Sequence, residues 1–109
     1  MDKEILELIV NRLREQANDV LLRITAHAHQ EMTEEDVVLD DVIDVLRAAT
    51  VVENYPEHKR GACCLVAGRT RRNRVLHVVC STSLDFAVVI TVYEPKPARW
   101  VTPYERRES

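Results

Sequence analysis

His77 interrupts the apolar run RVLHVVCS, and imidazole is the side chain whose charge changes near neutral pH. A histidine in that setting is either a general acid or base, or a half-buried ring bonded to Thr91, Tyr93 or a backbone carbonyl. Strand alternation puts His77 on one face with Val75 and Val79, and puts Val89, Thr91 and Tyr93 on one face of AVVITVYEP. A hairpin pairing Ser81 with Ala87 would set His77 opposite Thr91 and Val75 opposite Tyr93. That register is the one predicted here, because a slip of one residue would scatter the polar groups. Arg74, with Arg71, Arg72 and Arg69 nearby in sequence, offers guanidinium groups that could hold a phosphate or a developing oxyanion.

His27 and His29 form a second constellation. If Thr25 caps a helix, His27 lies in its first turn and pairs with Glu31 at i, i+4. On a strand the two histidines would instead face one side and could join His77 or Glu53 around a metal, but helical spacing separates i from i+2. No metal and no cofactor is therefore expected. Cys63, Cys64 and Cys80 are odd in number and lack a CxxC pair, so they read as reduced, buried thiols.

The positioning elements follow from periodicity. Asp2 caps a first helix carrying the apolar stripe Ile5, Leu8, Ile9 and Leu13, within residues 1–17. Val20 to Ile24 reads as a short strand or an extended entry to the next helix, which covers Ala26 to Glu34. A third helix starts at Asp40 or Asp41, with Val42, Val45, Leu46 and Ala49 at helical spacing. The period then becomes that of strands over 51–55, 62–69, 74–81 and 86–93. Short links at TRRN and TSLD force antiparallel neighbours, and Pro95 and Pro97 end the sheet. The predicted fold is α+β, with N-terminal helices packed on one face of a small antiparallel β-meander. The core spans 20–100, and 101–109 reads as a polar tail held at Trp100.

With 109 residues the chain suits a single domain, and 46% hydrophobic content argues against disorder. No apolar stretch is long enough to span a bilayer, and MDKEILELIV has no basic leader region, so a cytoplasmic protein is expected. The net charge of −3 hides an asymmetry: residues 1–57 balance at −9 and residues 58–109 at +6. Such halves either attract each other within one fold or present a basic surface to a polyanion and an acidic one to a basic partner.

The ordered motifs ITAHAHQEM, DVIDVL, VVENYP, LVAGRT, RVLHVV and ITVYEP, followed by Trp100, resemble the bacterial family catalogued as domain of unknown function 4258. The resemblance covers about Leu22 to Trp100 and implies a fold similar to the RelE, ParE and BrnT group of toxins. It implies a small antitoxin as partner and metal-independent cleavage of RNA as an activity. The matching polar positions are His27, Tyr55, Arg74, His77, Thr91, Tyr93 and Trp100. Glu31 stands where the family pattern has an arginine, and Glu34, Glu35 and Asp36 follow, so the helix side repels RNA.

Two functions are compatible with these features. In an endoribonuclease, His77 is acid or base and Tyr93 orients it. Arg74 with Arg71 or Arg72 neutralises phosphate, and His27 with Glu31 supplies a second pair. Thr91, Arg69, Tyr55 and Trp100 complete the candidate site. In a non-catalytic interaction module the same polar cluster is a structural network, and the acidic helices dock a basic partner or a second copy in a homodimer.

Overall fold

A computed structural model describes residues 1–108. Helix α1 (Lys3–Asn18) starts where the Asp2 carboxylate accepts from the N–H groups of Glu4 and Ile5. Its C-terminus closes with Leu21 N–H on the Gln16 carbonyl at 2.7 Å and Val20 N–H on that of Ala17. This closure puts Val20 at φ 53°, a left-handed position that glycine usually fills. Strand β1 (Leu22–Ile24) leads to α2 (Ala26–Glu34), capped by the Thr25 hydroxyl accepting from Ala28 N–H, and then to α3 (Leu39–Arg47). Strands β2 (Thr50–Tyr55), β3 (Cys63–Arg69), β4 (Val75–Ser81) and β5 (Ala87–Tyr93) complete the main sheet.

The sheet order is β1-β5-β4-β3-β2. Strands β2 to β5 form the expected antiparallel meander, but β1 joins its edge parallel to β5, so the sheet is mixed. The predicted layout otherwise holds, with α+β composition and all three helices preceding the meander. Those helices cover one face, where Leu13, Val42, Val45 and Leu46 pack on Val66, Leu76, Val78 and Val89, all fully or almost fully buried. Gly68 carries this packing to contact distance. A methyl group there would lie 2.8 Å from the Val45 carbonyl oxygen and 2.9 Å from its Cα.

The β4–β5 register differs from expectation. Cys80, not Ser81, starts the pairing, opposite Val89, and a bulge at Ile90 adds a further residue to β5. The two offsets add, so His77 stands opposite Tyr93 and Thr91 opposite Val79. Beyond the bulge the offset of two keeps Thr91 and Tyr93 on the face of His77, so the polar groups still meet, whereas Val89, expected on that face, is offset by one and turns to the helical side. The bulge is held from the neighbouring edge: Thr25 donates its N–H to the Val89 carbonyl and its hydroxyl to that of Ile90.

The C-terminal segment is not the loose tail expected. Residues Trp100–Thr102 (β6) and Glu105–Arg106 (β7) pair as a small hairpin against the sheet face that the helices leave open. Among the described residues no helix is long and apolar enough to cross a membrane. Gly68→Ala is expected to lower stability by about 2 kcal/mol, read in denaturant titrations, because backbone rather than a side-chain tip must yield to the methyl group.

Candidate functional site

His77 lies at the centre of the outer sheet face with none of its surface exposed. Its Nδ1 is 3.1 Å from the Tyr93 hydroxyl, and its Nε2 is 2.6 Å from the Pro103 carbonyl oxygen in the hairpin loop. A carbonyl can only accept, so Nε2 carries the proton and donates it to Pro103. In the neutral ring Nδ1 then accepts from Tyr93 O–H. Trp100 meets the imidazole edge-on at 4.4 Å between ring centroids, and Tyr93 does so at 5.1 Å.

An ion pair between the hairpin and the sheet fixes the hairpin in place. Arg106 of β7 donates Nε and Nη2 to Glu53 of β2 at 3.0 Å each, and its guanidinium stacks 4.5 Å from the Trp100 ring centroid. Glu53 also accepts from the Tyr55 hydroxyl. The Arg106 bonds hold the Glu53 carboxyl below its ordinary range, while burial and then Glu53 push the Tyr55 phenol up to about 12. Burial lowers the affinity of His77 for a second proton, against the opposing pull of the Pro103 carbonyl. Burial likewise raises the Tyr93 phenol. The ring at the centre is thus a neutral, fully bonded histidine.

The arginines point elsewhere. Arg74 lies on the opposite strand face from His77, and its Nη1 and Nη2 donate to the carbonyls of Asp36 and Glu35 at 2.8 and 2.9 Å, just beyond α2. Arg72 donates to the carboxylate of Asp41 and to the Asp36 carbonyl, and Arg71 binds Asp44 through its side chain and its backbone N–H. Asp41 is 1% exposed. Burial alone would raise its carboxyl, but the Arg72 and Val38 bonds outweigh that and hold it low. Asp44 is lowered first by its bond from Arg71. Arg69 donates to Asn73, whose φ of 65° shapes the β3–β4 turn. The structure therefore brings His77, Tyr93 and Trp100 together, with Tyr55 joined through Glu53, and does not bring Arg69, Arg71, Arg72 or Arg74 to His77.

Thr91 makes no side-chain hydrogen bond among the described residues. His27 stands apart on α2, with 66% of its side chain exposed and Nε2 3.2 Å from Glu31 Oε1. That carboxylate oxygen also accepts from the N–H of Val92 at 3.0 Å. Because β1 ends opposite Val89, the β5 edge is unpaired at Val92, and Glu31 supplies the missing acceptor. Among the described residues no three acidic, histidine or cysteine side chains gather at metal-binding distance. The three cysteines are free and buried, and the Cys64 contact together with burial pushes the Cys80 thiol well above its ordinary range.

Pro103 and Arg106 are members of the cluster that sequence reasoning missed, and Glu53 enters that reasoning only as a metal ligand. Strand alternation, which puts Glu53 on one face with Tyr55, is a signal that could have found Glu53, but the hairpin's contribution is a backbone carbonyl, which no side chain announces.

Fold and site together define a small α+β domain with a helical layer on one sheet face and a hairpin-capped histidine on the other. The chain belongs to the family described as Domain of unknown function (DUF4258), which matches residues 24–94. That span holds His77, Tyr93 and Glu53 but stops before Trp100, so α1 and the hairpin lie outside the matched core. No curated protein and no solved structure matches the chain.

A pH dependence follows from His77. Its folded-state affinity for protons is below the ordinary value of 6.5, so its contribution to stability is complete above that pH and is lost as pH falls below it. Carboxylates with ordinary values of 3.8 and 4.5 act only at lower pH. Denaturation midpoints should decline just below pH 6.5 in the native chain and stay flat over that interval in His77→Gln.

Proposed function

We propose that the chain is a non-catalytic protein-interaction module in which the polar cluster is structural. The observation that carries this reading is His77 itself: a fully buried ring with both nitrogens engaged has no free position for a substrate proton. The charge pattern agrees. Arg71, Arg72 and Arg74 are bound to carboxylates and carbonyls of the helical layer, so the basic and acidic halves largely answer each other within one molecule. The uncovered part of the outer sheet face is left for a partner. There a trough of ≈ 450 Å³ has an apolar floor that includes Leu84, Val88 and Ile90, with His58 and Arg60 at its margin. An amphipathic segment with an acidic edge suits that surface, and a small antitoxin-like protein is a partner of that kind.

Metal-independent endoribonuclease activity, in the manner of the RelE and BrnT group, is the second reading. One observation favours it: the Glu53 carboxylate lies near enough to act on the His77 charge, so a lifted hairpin would free Glu53 from Arg106 and bare it beside His77 and Tyr93.

Incubation of the purified chain with RNA separates the two. The module reading expects intact RNA and a His77→Ala variant destabilised by about 3 kcal/mol, because Pro103 and Tyr93 lose their partner in a buried site. RNA cleavage that disappears in a His77→Gln variant of unchanged fold would establish the enzyme instead.

A further inference from the structure

Four arginines from three parts of the chain converge on one shallow depression that the His77 cluster does not reach. Arg14 comes from α1, Arg47 from the last turn of α3, Arg69 from the end of β3 and Arg71 from the turn after it. Together they line a cleft of ≈ 570 Å³. One carboxylate, Asp44, is among the lining groups, and Arg71 occupies both its oxygens. Arg14 and Arg69 are tethered by neutral acceptors: Arg14 Nε donates to the Arg47 carbonyl at 3.3 Å, and Arg69 Nη1 to the Asn73 side chain at 2.9 Å. The Arg47 side chain makes no hydrogen bond, and none of these three forms a salt bridge, among the described residues.

These tethers aim guanidinium groups without neutralising them. The cleft therefore keeps a local charge near +3 in a chain whose net charge is −3. Like charges held this close repel, and a bound polyanion removes that cost. Local roles explain part of this: Arg14 caps the α3 C-terminus at the Arg47 carbonyl, Arg47 complements the same helix end, and Arg69 braces the turn at Asn73, but none of these contacts supplies a counter-charge. Planar guanidinium forks match phosphate oxygens in pairs, and several forks approaching from different elements suit adjacent phosphates better than one.

We propose that this cleft binds a pyrophosphate-type group, such as the di- or triphosphate of a nucleotide, with Arg14, Arg47 and Arg69 as its cationic contacts. The alternative polyanion, single-stranded nucleic acid, suits it less well. The forks surround one depression instead of following a track, and no aromatic side chain lines it to stack a base. The site stands independently of how the histidine cluster is read, because the two share no residue.

Calorimetric titration of the full chain with inorganic pyrophosphate at low salt tests the proposal, with inorganic phosphate and a short RNA oligomer as comparison ligands. Saturable one-site binding of pyrophosphate is expected, tighter than that of phosphate. It should weaken at least about tenfold in an Arg47→Gln, Arg69→Gln double variant and hold in Arg99→Gln, a charge removed elsewhere. Circular dichroism verifies that both variants are folded. Absence of pyrophosphate binding, equal binding by the double variant, or equal affinity for phosphate overturns the proposal. So does binding of RNA without pyrophosphate, which would assign the cleft to a nucleic-acid backbone.

Discussion

The outer half of this molecule depends on a single buried imidazole whose two nitrogens are both committed. Nε2–H fixes the loop of the C-terminal hairpin through Pro103, and Nδ1 holds the Tyr93 hydroxyl on the adjacent strand. A buried polar ring is costly unless each of its polar atoms is bonded, so the hairpin and the histidine require each other. Without the hairpin, His77 would face solvent between Ala67 and Tyr93, its neighbours across the ladder. Without the histidine, Pro103 and Trp100 would lose the partner that draws them onto the sheet. The Arg106–Glu53 pair then fastens the hairpin's far strand to β2, so the closure spans the sheet from β2 to β5.

The inner half is joined differently. Residues 26–47, which are α2, α3 and the link between them, carry seven carboxylates against one arginine, and the β3–β4 turn carries arginines that reach across to them. Arg72 at Asp41 and Arg71 at Asp44 turn the charge asymmetry into intramolecular contacts between the helical layer and the sheet. Asp41 also accepts from the Val38 N–H and so closes the start of α3, which makes one carboxylate serve both a helix end and a layer contact. The basic charge that escapes this clasp gathers with Arg14 and Arg47, residues far apart in sequence.

Much of this was legible in the residues. Alternation identified every strand of the meander, and Asp2 and Thr25 announced helix starts that the structure places at the next residue. The shared face of His77, Thr91 and Tyr93 was also readable. The pairing partner was not, because a bulge at Ile90 is stabilised by Thr25 from a different part of the chain, and no local rule counts that extra residue. Sequence proximity of Arg74 to His77 misled for a related reason: three residues along a strand separate two faces. The hairpin was hidden because its decisive group is a main-chain carbonyl in a polar-looking segment, and Glu31 looked like a partner for His27 while its carboxylate also closes the β5 edge.

Nitrogen and proton resonances of the His77 ring test the central claim most directly. A structural histidine predicts a neutral ring with its proton on Nε2, exchanging slowly with water and persisting as pH falls below 6.5. A His77 ring that titrates near 6.5 with a rapidly exchanging proton would mean that the ring is open to solvent, and would contradict the account.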